Sequence, residues 1–193
     1  MTMKLCFATN NAHKITEVQH LLGEAFEIIS LEDIGCTEEL PETRDTLEGN
    51  AHQKAEFVHR HYQVNCFADD TGLEIEALLG EPGVHSAHYA GPQRNSQDNM
   101  RKVLNQLQGS EHRQAQFRTV ITLILDGKHY NFEGIALGAI TEQPAGQQGF
   151  GYDPIFIPKG YKQSFAEMSL EAKNQISHRS RAVQKLVDFL KKH

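Results

Sequence analysis

Apolar and polar positions along the chain alternate between two periods, and the switches mark out its elements. Lys4–Ala8 is an apolar run of strand length that breaks into the polar stretch Thr9-Asn10-Asn11-Ala12-His13. Ile15, Val18 and Leu22 then recur at helical spacing, and Phe26–Ser30 returns to a strand. This β-α-β opening predicts a parallel strand pair joined by a crossover. Residues 31–45 are acidic and irregular, and the pattern predicts a longer helix over Thr46–Tyr62. Asp45 is its expected cap, with Glu48 three residues on. Cys66-Phe67-Ala68 is a buried strand that is expected to end at Asp69-Asp70, with Gly72 allowing a sharp turn.

Beyond the turns at Gly80–Gly83 and Gly91-Pro92, the residues Met100, Val103, Leu104 and Leu107 predict a helix beginning near Asn95 or Ser96. Phe117–Leu125 and Tyr130–Ile140 are long β-like runs linked through Asp126-Gly127, a hairpin signal that makes them antiparallel neighbours. Val183, Leu186, Val187 and Leu190 share one face of a C-terminal helix. The sum is an α/β chain with a mixed sheet, and its 193 residues fit one domain with two lobes.

Composition narrows the picture. The hydrophobic share of 39% and charged share of 23% are globular values. A net charge of -6 argues against coating nucleic acid, because phosphate backbones favour a basic surface. The three cysteines form no CxxC pair and fit buried free thiols in a reducing compartment. No apolar run has membrane-spanning length, and the N-terminal apolar stretch is short for a signal peptide, so a cytoplasmic location is expected.

Five stretches could carry chemistry. Thr9–Lys14 joins a strand to a helix start, where backbone N–H groups and Lys14 favour an anion; an ordinary polar loop would look the same. Lys54 falls in the apolar stripe of Leu47, Ala51 and Val58, with Asn50 beside it, so it must snorkel outward or meet a buried anion. Asp69 and Asp70 are adjacent carboxylates that need a cation or proton nearby, and regular strand geometry turns them to opposite faces. Together with Glu42 in the loop Glu38–Glu42 they could supply hard oxygen ligands for Mg²⁺. Gly146–Pro154 gathers three glycines, Phe150, Tyr152 and Asp153, as a nucleobase pocket would and as a glycine-rich turn over core aromatics also would. Lys173 and Arg179 would lie roughly 240° apart on one unbroken helix. If Ser177 instead caps a new helix, His178 and Arg179 stand in its first turn, where cations call for an anion or polar ligand.

Taken in order, Thr9–Lys14, Asp45–Lys54, Ala68–Gly72, Pro82–Ala87, Phe150–Pro154 and Ile176–Arg179 resemble the inosine/xanthosine triphosphate pyrophosphatase family from about residue 4 to residue 190. The resemblance implies an elongated central mixed sheet flanked by helices, two lobes with a cleft between them, and a homodimer. It implies Mg²⁺-dependent hydrolysis of ITP, dITP and XTP to the monophosphate and pyrophosphate, which clears deaminated purines from the nucleotide pool. Thr9, Asn10, Asn11, Ala12, His13 and Lys14 would hold the triphosphate with Lys54. Asp70 would bind Mg²⁺ and accept the proton of the attacking water, Glu42 would be a further ligand, and Thr71 would touch substrate. Phe150, Gly151, Tyr152, Asp153, Lys173, His178 and Arg179 would complete the nucleotide pocket. His88 stands where the resemblance leads one to expect arginine, and Gly49 where a better helix former is usual. The rival functions are a Maf-like pyrophosphatase for other modified nucleotides and a nucleotide sensor without turnover. A haloacid-dehalogenase-like phosphatase needs Asp-x-Asp-x-Thr, which Asp69-Asp70-Thr71 does not match.

Overall fold

The computed structural model describes residues 3–22 and 26–193. Among the described residues six strands and five α-helices follow one another as β1 (Met3–Phe7), α1 (Ala12–Leu22), β2 (Phe26–Ile29), α2 (Leu47–Tyr62), β3 (Cys66–Ile75), α3 (Ser96–Gln106), β4 (Gln114–Leu125), β5 (Lys128–Ile140), β6 (Phe156–Pro158), α4 (Leu170–Ile176) and α5 (His178–Leu190). The strands form one mixed sheet in the order β2-β1-β3-β4-β5-β6. β1 runs parallel to both β2 and β3, with Cys6 opposite Cys66 and Phe7 opposite Phe67. β5 and β6 are antiparallel. The two-residue link Asp126-Gly127, with both residues at positive φ, makes β4 and β5 a tight hairpin, as the Asp-Gly signal predicts.

Two local expectations are corrected. The cap of α2 is Thr46 rather than Asp45: its extended backbone precedes Leu47, and its Oγ1 accepts the Gly49 N–H at 3.0 Å. The helix therefore starts one residue later, and its third position is Gly49. A Cβ there would lie 2.7 Å from the Arg44 Cβ, so close approach of the preceding loop explains a glycine that helix propensity alone disfavours. The second correction concerns β3, which does not end at the acidic pair but continues through it to Ile75. Gly72 serves close packing rather than a turn, since a Cβ on it would meet the Gly83 carbonyl oxygen at 2.6 Å.

The chain divides into two compact units. The first comprises Met1–Asp70, Thr119–Gly134 and Arg179–His193. Its part of the sheet is buried on both faces, as parallel strands covered by helices are. On one face Leu5, Phe7, Phe67, Ile121 and Leu123 pack with Val18 and Leu22 of α1 and Val183 and Leu186 of α5. On the other, Cys6, Ala8, Cys66, Ala68 and Ile124 pack with Ala55 and Val58 of α2. All three cysteines are buried free thiols. Burial, then the neighbouring thiol, pushes both Cys6 and Cys66 up to about 12. The second unit comprises Thr71–Arg118 and Ile135–His178. Its core gathers Leu73, Met100, Val103, Phe117, Ile140 and Phe156 with their neighbours. Among the described residues no helix is long and apolar enough to cross a membrane.

Candidate active site

The alternation of β3 decides where its two carboxylates go. Phe67 faces α1 and α5, so Asp69 two residues on faces the same helices, while Asp70 shares the α2 side with Cys66 and Ala68. The ion pairs follow that parity. Asp69 Oδ1 accepts from Lys14 Nζ of α1 at 3.0 Å, and Asp69 Oδ2 accepts from Arg179 Nε of α5 at 3.2 Å. Arg179 also donates through Nη1 to Glu17 of α1. Burial alone would raise the Asp69 carboxyl, but Lys14, Arg179 and Lys54 outweigh it and hold the group well below the usual carboxylate range.

Across the strand, Lys54 does not snorkel. It is buried with Leu47, Asn50, Ala51, Ala55 and Val58 on one helix face. Its ammonium donates to Glu42 Oε1 at 2.5 Å and to the Asp69 main-chain carbonyl at 2.8 Å, and lies 3.8 Å from Asp70 Oδ1. Burial opposes that charge, yet Asp70, Glu42 and Asp69 together raise the Lys54 pKa. Asp70 is shifted the other way from Asp69. Burial, helped by the Glu42 charge, raises its carboxyl above the ordinary value against the pull of Lys54 and Lys14 and a hydrogen bond from Asn50. Asn50 can donate there because its Oδ1 is occupied by the Arg44 N–H at 2.9 Å.

The loop before α1 is organised by its own side chains. Thr9 Oγ1 accepts from the Asn11 N–H at 3.1 Å, and Asn11 Oδ1 accepts from the N–H groups of His13 and Lys14 at 3.0 and 3.2 Å. Asn11 thus caps the helix that carries Lys14 and aims that lysine at β3. Asn10, Ala12 and His13 are exposed.

In the second unit the structure brings Phe150, Asp153 and Lys173 together. Asp153 Oδ2 accepts from the Phe150 N–H at 3.0 Å and from Lys173 Nζ at 2.6 Å, and that ammonium stands 5.0 Å from the centre of the Phe150 ring. Gly149, at φ +69°, passes so near the Asp153 carboxylate that a Cβ would collide with it. Tyr152 is directed elsewhere: its ring belongs to the core, and its hydroxyl donates to the Ser86 carbonyl at 2.7 Å. The helical run does break at Ser177, whose extended backbone separates α4 from α5. His178 is buried and stacked on Phe117, with ring centres 4.6 Å apart. Arg179 is buried in the first unit, where Glu17 and Asp69 answer its charge, so its place in a first turn needs no ligand. Thr71 is half-buried in β3, and His88 is exposed, edge-on to His85 at 5.5 Å.

The sequence places Asn50 beside Lys54 without giving it a partner, leaves the partners of Asp69 open, gives Ser86 no role of its own within Pro82–Ala87, and does not single out Glu17. Ser86 is a buried junction whose hydroxyl accepts the Leu73 N–H at 2.9 Å and donates to the Gly83 carbonyl at 2.6 Å. The available signal for Glu17 was its spacing, three residues from Lys14 on the helix.

This chain is a mixed α/β protein that gathers Lys14, Lys54 and Arg179 with Glu17, Glu42, Asp69 and Asp70 around one strand. Its relatives are specific. The Ham1 family model matches residues 5–189, and the chain belongs to that family. It is 58% identical to the dITP/XTP pyrophosphatase of Flavobacterium johnsoniae, covering 97% of this chain and 98% of that one. It is 59% identical to the dITP/XTP pyrophosphatase of Porphyromonas gingivalis, over 97% of each. The solved Ham1 protein of Staphylococcus aureus superimposes with a TM-score of 0.89 at 36% identity over 98% of both chains.

Proposed function

We propose that this protein hydrolyses ITP, dITP and XTP to the nucleoside monophosphate and pyrophosphate, with Mg²⁺, and so removes deaminated purines from the nucleotide pool. The observation that carries the reading is the Glu42–Lys54–Asp70 arrangement, two carboxylates held against one buried ammonium, in a chain that matches dITP/XTP pyrophosphatases over nearly its whole length. The donor set fits Mg²⁺: Glu42 and Asp70 are hard oxygen donors whose mutual repulsion contributes to the raised Asp70 carboxyl. When bound, Mg²⁺ would neutralise phosphate oxygens where negative charge grows.

The protein's own groups supply the rest. Lys14 and Lys54 would hold the triphosphate and stabilise the departing pyrophosphate, with Thr9–His13 shaping the approach. Asp70, raised by its burial, suits a proton acceptor for the water that attacks the α-phosphorus. Glu42 would be the second metal ligand, and Thr71 would contact substrate. Phe150 would offer a face to the purine, with Gly151, Tyr152 and Asp153 shaping the loop, and Lys173 and His178 beside it. Arg179 would act on substrate through Asp69 and Glu17. Donors reading a 6-keto oxygen would be left unsatisfied against a 6-amino group, which disfavours ATP. The same reading takes the 193 residues as one catalytic module that works as a cytoplasmic homodimer.

Product analysis tests it. Incubation of ITP with Mg²⁺ should release pyrophosphate and IMP, with kcat/KM well above that for ATP. Orthophosphate as the product, tight binding without turnover, or equal use of ATP would each overturn the reading.

A further inference from the structure

On the solvent side of α2, away from Lys54, two histidines and a glutamate converge. His52 and Glu56 are one helical turn apart on α2, and His129 comes from β5 just past the Asp126-Gly127 turn. His129 Nδ1 and His52 Nε2 are 3.1 Å apart, with the two rings 5.0 Å centre to centre. His52 Nδ1 lies 3.9 Å from Glu56 Oε2. One ligand atom from each of the three falls within 4.8 Å of the other two. Glu56 is itself held, since its Oε1 accepts from Arg60 Nη2 at 2.7 Å and so leaves Oε2 turned toward the histidines.

We propose that His52, Glu56 and His129 form a binding site for a borderline divalent transition-metal ion, of which Zn²⁺ is the representative. Two imidazole nitrogens on a tetrahedral Zn²⁺ sit about 3.3 Å apart, given Zn–N bonds of about 2.0–2.1 Å. The two nitrogens already stand near that separation, and a turn of each ring away from the shared hydrogen bond would bring both lone pairs onto one ion. Glu56 Oε2 now lies on the Nδ1 side of His52, so its side chain rotates toward the Nε2 side to supply the third ligand, and water completes the shell. Two nitrogens and one oxygen favour Zn²⁺, Co²⁺ or Ni²⁺ over Mg²⁺, which selects all-oxygen sets. Arg60 on the far carboxylate oxygen then orients the ligand, as outer partners of metal ligands do.

The site is separate from Glu42 and Asp70 in residues and in ligand chemistry. It ties the exposed face of α2 to the β4–β5 hairpin, and a metal held only by the folded chain raises its thermal midpoint.

The test is a Zn²⁺ titration of the metal-stripped full chain in excess Mg²⁺, read by competition with a chromophoric chelator. Wild type should take up one tight equivalent and show a higher Tm with Zn²⁺. H129Q and H52Q should bind roughly tenfold or more weakly, lose the Tm rise, and keep Mg²⁺-dependent ITP turnover. E56Q should weaken binding while leaving the fold unchanged. No tight equivalent in wild type, or undiminished Zn²⁺ affinity in H129Q and H52Q, would overturn the proposal. Failure of ITP turnover in wild type would count against the nucleotide reading alone.

Discussion

Asp69 and Asp70 are consecutive in β3, yet Asp69 Oδ1 is bound by Lys14 of α1 at 3.0 Å while Asp70 Oδ1 stands 3.8 Å from Lys54 of α2. Strand alternation gives the two carboxylates separate cations and opposite pKa shifts, which makes one a structural anion and the other a candidate base.

Asp70→Asn should lower kcat on ITP by about 10³-fold or more, in line with loss of a positioned base. It should also stabilise the fold at neutral pH. The folded-state carboxyl is raised, so its ionisation costs stability as pH climbs from about 3.9 through the folded value. Thermal melts at pH 7 should place the variant a few °C above wild type, with the gap closing below about pH 4. A less stable variant at pH 7 would contradict the assignment.

Asp69 runs the opposite way. Its folded-state carboxyl is depressed, so its contribution is present above about pH 4 and fades as pH falls toward the folded value. Asp69→Asn should cost about 3–5 kcal/mol at pH 7, because Lys14 and Arg179 lose a buried partner. Denaturant unfolding at pH 7 and at pH 3 measures the change, and the penalty should shrink at the lower pH.

Lys173 and Asp153 form a buried pair at 2.6 Å in the second unit. Lys173→Met should destabilise by about 3–5 kcal/mol by stranding the Asp153 carboxylate. The double variant Lys173→Met with Asp153→Asn should recover most of that loss, since both charges are gone. ITP turnover should stay low in both. Recovery of turnover with stability would reduce the pair to a structural role.

Chelation of divalent ions should abolish ITP turnover, and added Mg²⁺ alone should restore it. Glu42→Gln should raise the Mg²⁺ concentration for half-maximal rate by about tenfold or more, with ITP turnover still reached at saturating metal. Unchanged Mg²⁺ dependence in that variant would remove Glu42 from the ligand set.

Much of this chain was legible before its structure. The β-α-β opening, the Asp-Gly hairpin, the start of α3 near Asn95 or Ser96 and the misplaced lysine at position 54 all follow from spacing along a few turns or strands. Each is a local pattern, because backbone geometry repeats every 2.0 or 3.6 residues and burial selects a face. The end of β3 was not legible: polar residues inside a strand read as its terminus unless their partners are known, and the partners of Asp69 are 55 and 110 residues away. Nor could spacing say that Tyr152 turns into the core toward Ser86 while Phe150 stays beside Lys173.

The sequence by itself determined which residues carry charge, which faces are apolar and which elements form. Only the tertiary structure decided which cation meets which carboxylate. Strand order sets β3 beside β1 with α1 and α5 on one face and α2 on the other, and Coulomb energy depends on those distances rather than on separation along the chain.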